Sequence, residues 1–140
     1  MKKALNKLTA PKSVMPEKII QFGEGNFLRA FVDWIVWNMD AKTNFNGSVV
    51  VVQPIERGMV EWLNGQDCLY HVNLQGRLKG EAVNTLERID VISRALNPYS
   101  QNAAFMALAE QPEIRFVISN TTEAGITFDP ACKFTDAPAA

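Results

Sequence analysis

The sequence predicts an α/β domain with a mainly parallel sheet covered on both faces. Three observations carry that expectation. Short apolar runs at residues 18–22, 48–52 and 114–118 have the length and composition of buried strands. A long stretch with apolar residues at helical spacing separates the first two runs. Glycine, proline and asparagine punctuate the chain between these segments, as turns joining alternating strands and helices require.

Residues 1–16 carry Lys2, Lys3, Lys7 and Lys12 without a continuous apolar stretch, so they read as a loose N-terminal arm and not as a signal peptide or membrane span. The domain is expected over residues 17–140. Lys18-Ile19-Ile20-Gln21-Phe22 is the first strand, stopped by Gly23. Beyond Gly25, Leu28, Phe31, Val32, Ile35, Val36 and Met39 make one helix stripe, and Phe27, Ala30, Trp34 and Trp37 make a second beside it. Only Asn26, Arg29 and Asp33 are left as a polar edge, so this helix expects partners on more than one side. After a turn at residues 44–47, Ser48-Val49-Val50-Val51-Val52 is rich enough in β-branched residues for a fully buried strand, completing a βαβ unit.

From Cys68 the pattern alternates, with Tyr70, Val72 and Leu74 out of phase with His71, Asn73 and Gln75. Gly76 and Gly80 then read as turn residues, and the segment as an inserted β-hairpin. A strand is expected around residues 89–92, followed by a helix over 100–110 with Ser100 as N-cap and Pro112 beyond its end. Residues 114–118 form the next buried strand.

With 140 residues, 47% hydrophobic and 21% charged, the chain can bury one core and not two. A formal net charge of -1 supplies no global positive field, which argues against nucleic acid as a partner. Cys68 and Cys132 are far apart with no CxxC spacing, so neither a zinc site nor a disulfide framework is expected, and a reducing, cytoplasmic compartment fits. The acidic residues form no paired constellation, and no metal is assigned.

The chemical signal is concentrated in Gly23-Glu24-Gly25-Asn26-Phe27-Leu28-Arg29, between a strand and a helix. Small residues there let a pyrophosphate approach the backbone, and the unpaired amides of the first helical turn point at it. Leu28 stands at the third glycine position of the GxGxxG dinucleotide fingerprint, which is therefore incomplete. Arg29 opposes the helix dipole unless an anion is bound. The alternative is that it pairs with Asp33 on a solvated edge. Gln53, Glu56 and Arg57 follow the second strand, where an acidic side chain would meet the ribose hydroxyls and a basic one a 2′-phosphate. Asn120, Thr122 and Glu123 follow the last strand at the ligand-bearing end of such a sheet. His71 reads as a surface or interface residue, and Trp34, Trp37 and Trp62 as core packing.

The run Ile19-Ile20-Gln21-Phe22-Gly23-Glu24-Gly25-Asn26-Phe27-Leu28-Arg29-Ala30 resembles the cofactor motif G-x-G-x-F-x-R-A of the mannitol dehydrogenase family of long-chain polyol dehydrogenases. Phe31 stands where most polyol-oxidising members have histidine. That departure, with Ser119-Asn120-Thr121-Thr122-Glu123-Ala124-Gly125-Ile126, is similar to the branch acting on sugar acids. The resemblance implies a Rossmann-like NAD-binding domain, present only in its N-terminal part, with NAD as cofactor. It also implies interconversion of D-tagaturonate and D-altronate in hexuronate catabolism. Cofactor contacts are implied for residues 19–30, for Gln53 or Glu56 at the adenosine ribose, and for Asn120, Thr122 and Glu123 beside the nicotinamide ribose. The family's catalytic lysine, asparagine and histidine residues match nothing here, so no catalytic residue is assigned, the chain alone is expected to be inactive, and its unfinished sheet is expected to self-associate. A sister enzyme such as a fructuronate reductase or mannitol dehydrogenase, or a non-catalytic Rossmann-like nucleotide-binding module, stays open as an alternative.

Overall fold

A computed structural model describes residues 4–121, together with 128, 130, 131 and 133–135. Its main sheet has four parallel strands in the order β5-β2-β1-β6, where β1 is Glu17–Phe22, β2 Ser48–Val52, β5 Ile92–Leu96 and β6 Phe116–Ser119. The chain steps outward twice from β1 and then returns to its other side at β6. With the hairpin set aside, this is the strand order 3-2-1-4 of a dinucleotide-binding sheet.

The β2 valines are all fully buried, with Val49 and Val51 facing one layer and Val50 and Val52 the other. On the first face they meet Val36 of α1 (Asn26–Lys42), Leu63 of α2 (Val60–Gly65) and the root of the hairpin β3 (Tyr70–Leu78) and β4 (Glu81–Ile89). On the second face they meet Leu96 and Leu108, the latter in a 3-10 turn, Ala107–Glu110, that follows α3 (Pro98–Met106). Each such valine contributes about 1.5–3 kcal/mol of burial. That is why the strand tolerates no polar alternation.

The hairpin is present as expected, and Lys79 (φ 52°) and Gly80 (φ 90°) form its two-residue left-handed turn. Gly76, read as a turn residue, instead lies within β3 opposite Val83.

Other expectations are corrected. The arm is tied down over its described part: Lys12 Nζ donates to Asp67 O (2.7 Å) and Ser93 O (2.8 Å), and Ser13 N and Oγ donate to Asp90 Oδ2. Lys12 thus reaches the backbone carbonyls of a turn residue and of a β5 residue, while Lys7 pairs with the Asp67 carboxylate at 3.6 Å. Residues 89–92 are not one strand, because Ile89 ends β4, Asp90 and Val91 turn the chain, and β5 starts at Ile92. The α3 helix starts at Pro98 and is capped by Asn97, whose Oδ1 accepts from Tyr99 N (3.0 Å). Proline fits the first helical position, so the cap precedes it and Ser100 lies inside. β6 is exposed where burial was expected, with Phe116 at 49% and Val117 at 65%, because β1 is its only neighbour among the described residues.

The two stripes of α1 also divide differently. Leu28 and Val36 are buried and Trp34 and Trp37 are half-buried on the core, but Phe27 and Phe31 are exposed and stack on each other at 5.5 Å. Arg29 and Asp33, read as a polar edge, are buried, whereas Trp62, read as core, is 53% exposed.

Candidate functional site at the carboxyl edge of the sheet

Parallel register brings every candidate loop to one edge. Phe22 pairs with Val52 and with Ser119, and Val52 pairs with Leu96. Gly23 N donates to Val52 O and Gln53 N to Leu96 O, both at 2.9 Å, so the loops leave the strands side by side. Asn120, which follows Ser119, is exposed at this edge. The order reverses between β1 and β6, and such a reversal leaves a crevice between diverging connections. Thr122 and Glu123 lie outside the described residues.

The two glycines of the turn do different work. Gly23 has φ +118°, and a Cβ there would come 3.0 Å from Leu28 Cδ1, so the fold itself needs glycine. Leu28, at the third glycine position of the generic fingerprint, is buried and fills the space beneath the turn. Gly25 is the N-cap of α1 with ordinary extended geometry (φ -69°, ψ 166°), and a Cβ there would meet nothing within 4 Å. The protein's own packing has no use for a glycine at that position. No side chain caps α1 and its first turn contains no acid, so a helix of 17 residues presents open amides and the positive end of its dipole beside this space.

Arg29 departs from both readings of the sequence. It is 7% exposed and forms no ion pair with Asp33 among the described residues. Its Nε donates to Glu24 O (2.9 Å) and its Nη2 to Asn26 Oδ1 (2.6 Å), fastening the turn from within. The guanidinium lies over the rings of Trp62 (5.7 Å) and Tyr70 (5.3 Å), whose negative faces attract its charge. Trp62 and Tyr70 were not read as site residues. The signal for Tyr70 was only its inward phase in the hairpin.

Ile19 and Ile20 are core residues, Phe22 packs edge-on against Phe105, and Gln21 is fully buried with Nε2 donating to Gly23 O (3.1 Å). These residues set the turn from below. Exposed Asn26, Phe27 and Ala30 line its outer side.

The loop after β2 is ordered by its own side chains. Gln53 is 2% exposed; its Nε2 donates to Ile55 O (2.8 Å) and Glu56 O (3.0 Å), and its Oε1 accepts from Val60 N (3.2 Å). Glu24 Oε1 accepts from Met59 N at 3.4 Å. A Cβ on Gly58 would lie 2.2 Å from Glu24 Oε1 and 2.5 Å from Gln53 Oε1, so this glycine closes the loop. Gln53 is thus occupied with backbone partners, while the Glu56 side chain is exposed. A cavity of about 190 Å³ lies here, lined by Gln53, Glu56, Arg57, Gly58, Glu61 and Asn97 among others. A second, of about 180 Å³, lies between the start of α1 and β3, with Asn26, Arg29, Tyr70, His71 and Asn73 on its walls. His71 is exposed, as expected.

Among the described residues no group of three His, Cys, Asp or Glu side chains could hold a metal ion, and no helix is long and apolar enough to cross a membrane. The Cys68 thiol is buried, and desolvation pushes it up to about 11, so it stays protonated and unreactive.

Residues 17–139 match the family described as the mannitol dehydrogenase Rossmann domain. The chain is 78% identical over 137 residues to the altronate oxidoreductase of Phocaeicola vulgatus and 77% identical over 137 residues to that of Bacteroides thetaiotaomicron. Each match covers 98% of this chain and 29% of the relative, so the chain spans less than a third of their length. Among solved structures, the fold is similar to Pseudomonas fluorescens mannitol 2-dehydrogenase, solved as a ternary complex with NAD and D-mannitol. The TM-score is 0.67 at 24% identity, over 83% of this chain and 26% of that one.

Proposed function

The chain belongs to the mannitol dehydrogenase family through its Rossmann domain, and from that premise we propose that it is the NAD-binding portion of an oxidoreductase interconverting D-tagaturonate and D-altronate. The single observation carrying the cofactor is Gly25: a glycine with ordinary backbone angles and empty space where its Cβ would be, at the open N-terminus of a long helix. A pyrophosphate accounts for both. The altronate oxidoreductases at 78% and 77% identity support the substrate class.

When bound, the nicotinamide gives or takes the hydride. The chain's own residues bind and orient it. The first-turn amides of α1 take the pyrophosphate at Gly25, and Arg29 keeps the turn rigid by holding Glu24 O and Asn26 Oδ1. Exposed Glu56 is the better placed of the two candidates for the adenosine ribose hydroxyls, because Gln53 is committed to the loop. A carboxylate there favours NAD over NADP by repelling a 2′-phosphate. Exposed Asn120, on the far side of the crevice from Glu56, is assigned to the nicotinamide ribose, and the family resemblance adds Thr122 and Glu123 to that role. The group that polarises the sugar-acid carbonyl is assigned to none of these 140 residues. A cytoplasmic setting suits the buried free thiol of Cys68.

Steady-state assays on the longest reading frame containing this chain test the proposal. The expected result is NADH oxidation with tagaturonate, at higher kcat/KM than with fructuronate or fructose and with NADH preferred over NADPH. Faster turnover of fructose or fructuronate overturns the substrate, and equal efficiency with the two cofactors removes Glu56 from the ribose.

A further inference from the structure

A buried polar chain runs beneath the glycine turn, from Asp33 through Tyr70 to Arg29, and its hydrogen count does not close with an ionised carboxylate. Asp33 is fully buried. Tyr70 Oη stands 2.9 Å from Arg29 O and 3.2 Å from Asp33 Oδ2, yet a tyrosine hydroxyl has one proton and the carbonyl can only accept. Both contacts are satisfied when Asp33 carries a proton, donates it to Tyr70 Oη, and leaves the Tyr70 proton for Arg29 O. Asp33 Oδ1 has no partner among the described residues, which a neutral carboxyl tolerates far better than a charged one.

We infer that Asp33 is a neutral acid in the folded protein and acts as a positioning residue, coupling the geometry of the Gly23–Arg29 turn, and hence nucleotide binding, to pH. The inference rests on the NAD reading above. Its causal path is short. An ionised Asp33 takes the Tyr70 proton away from Arg29 O and draws on the Arg29 guanidinium, which lies on the Tyr70 ring and secures Glu24 O and Asn26.

The groups facing Asp33 come from three sides: Gln21 of β1, whose Nε2 is 3.5 Å from Oδ2; Arg29 on its own helix; and Tyr70, with neighbouring Cys68, at the hairpin root. Burial dominates over these partners and pushes the Asp33 carboxyl up to about 7, while the same burial, with Asp33 alongside, also raises the Tyr70 hydroxyl. His71 lines the neighbouring cleft and is controlled for by His71→Asn.

Two readouts on the chain and on Asp33→Asn separate the parts of this inference. The first is the urea midpoint against pH, which needs no ligand. The folded state holds a proton that the unfolded chain has lost, so stability falls as pH rises from about 4 to about 7 and levels off above. Asp33→Asn, whose amide can donate to Tyr70 in the same way, removes that slope.

The second readout is NADH affinity by fluorescence from pH 6 to pH 8. If only the protonated form holds the turn, the apparent Kd rises about tenfold over that range, since the competent fraction falls to about a tenth at one pH unit above the midpoint. It stays flat in Asp33→Asn and keeps its rise in His71→Asn. Tyr70→Phe keeps the ring under Arg29 and the stability slope, and flattens binding.

An unchanged stability slope in Asp33→Asn overturns the neutral acid. A flat wild-type affinity with the slope intact overturns the coupling. Absence of NADH binding at every pH overturns the nucleotide reading itself, and the coupling with it, and is recognised because no affinity is then measurable in any variant.

Discussion

At the scale of single residues, Gly23 and Gly25 separate what the fold needs from what a ligand needs. Gly23→Ala places a Cβ at φ +118° and 3.0 Å from Leu28 Cδ1, and should cost about 1–3 kcal/mol of stability. Gly25→Val places its Cβ where nothing lies within 4 Å and should leave the unfolding free energy from urea melts within about 0.5 kcal/mol of wild type. It should nevertheless weaken NADH by more than about tenfold, or ~1.4 kcal/mol, because the valine occupies the space proposed for the pyrophosphate. Paired urea melts and NADH titrations check both. A Gly25→Val variant that binds NADH as well as wild type removes the observation on which the cofactor rests. Sequence shows two glycines of equal standing here. Their difference lies in backbone angles and in where Leu28 points.

Among the elements, the legible ones were those whose own pattern decides them. The β2 valines can only be a buried strand, and the alternation from Tyr70 can only be a two-sided hairpin. Elements decided by distant partners were missed. Helix α2 has six residues, fewer than two turns, and begins where Gln53 Oε1 receives Val60 N, so a side chain from β2's exit starts it. The arm was likewise misread, because its lysine ties reach residues 67 and 93. Replacing Lys12 by Ala removes the one ammonium that donates to both part-buried carbonyls and should cost about 1–3 kcal/mol. A urea midpoint equal to wild type would show that the arm is held by Ser13 and Asp90 without it.

For the whole molecule, the main sheet ends in two edge strands among the described residues, β5 and β6. Among the described residues nothing pairs with the outer edge of β6, Phe116 and Val117 are exposed there, and Phe27 and Phe31 add apolar surface near the start of α1. An open parallel edge with uncovered aromatic side chains is a template for another chain. The 140-residue protein is expected to self-associate. Light scattering across a dilution series should give a mass that rises with concentration, and Val117→Lys on the exposed edge should reduce it. A monomeric mass throughout would show that the described surface is covered by other means.

Sequence by itself determined the α/β class, the strand–turn–helix at Gly23 to Arg29, the inserted hairpin and the family resemblance. Each of these depends on contacts within a few residues or on side-chain periodicity along one element. Only the tertiary structure decided that Arg29 and Asp33 turn inward and that Trp62 and Tyr70 flank the guanidinium. It alone decided that Gln53 orders a loop while Glu56 faces solvent. Those outcomes depend on which elements stack, because burial turns a polar edge into a desolvated network, and no spacing along one helix records what will be packed against it.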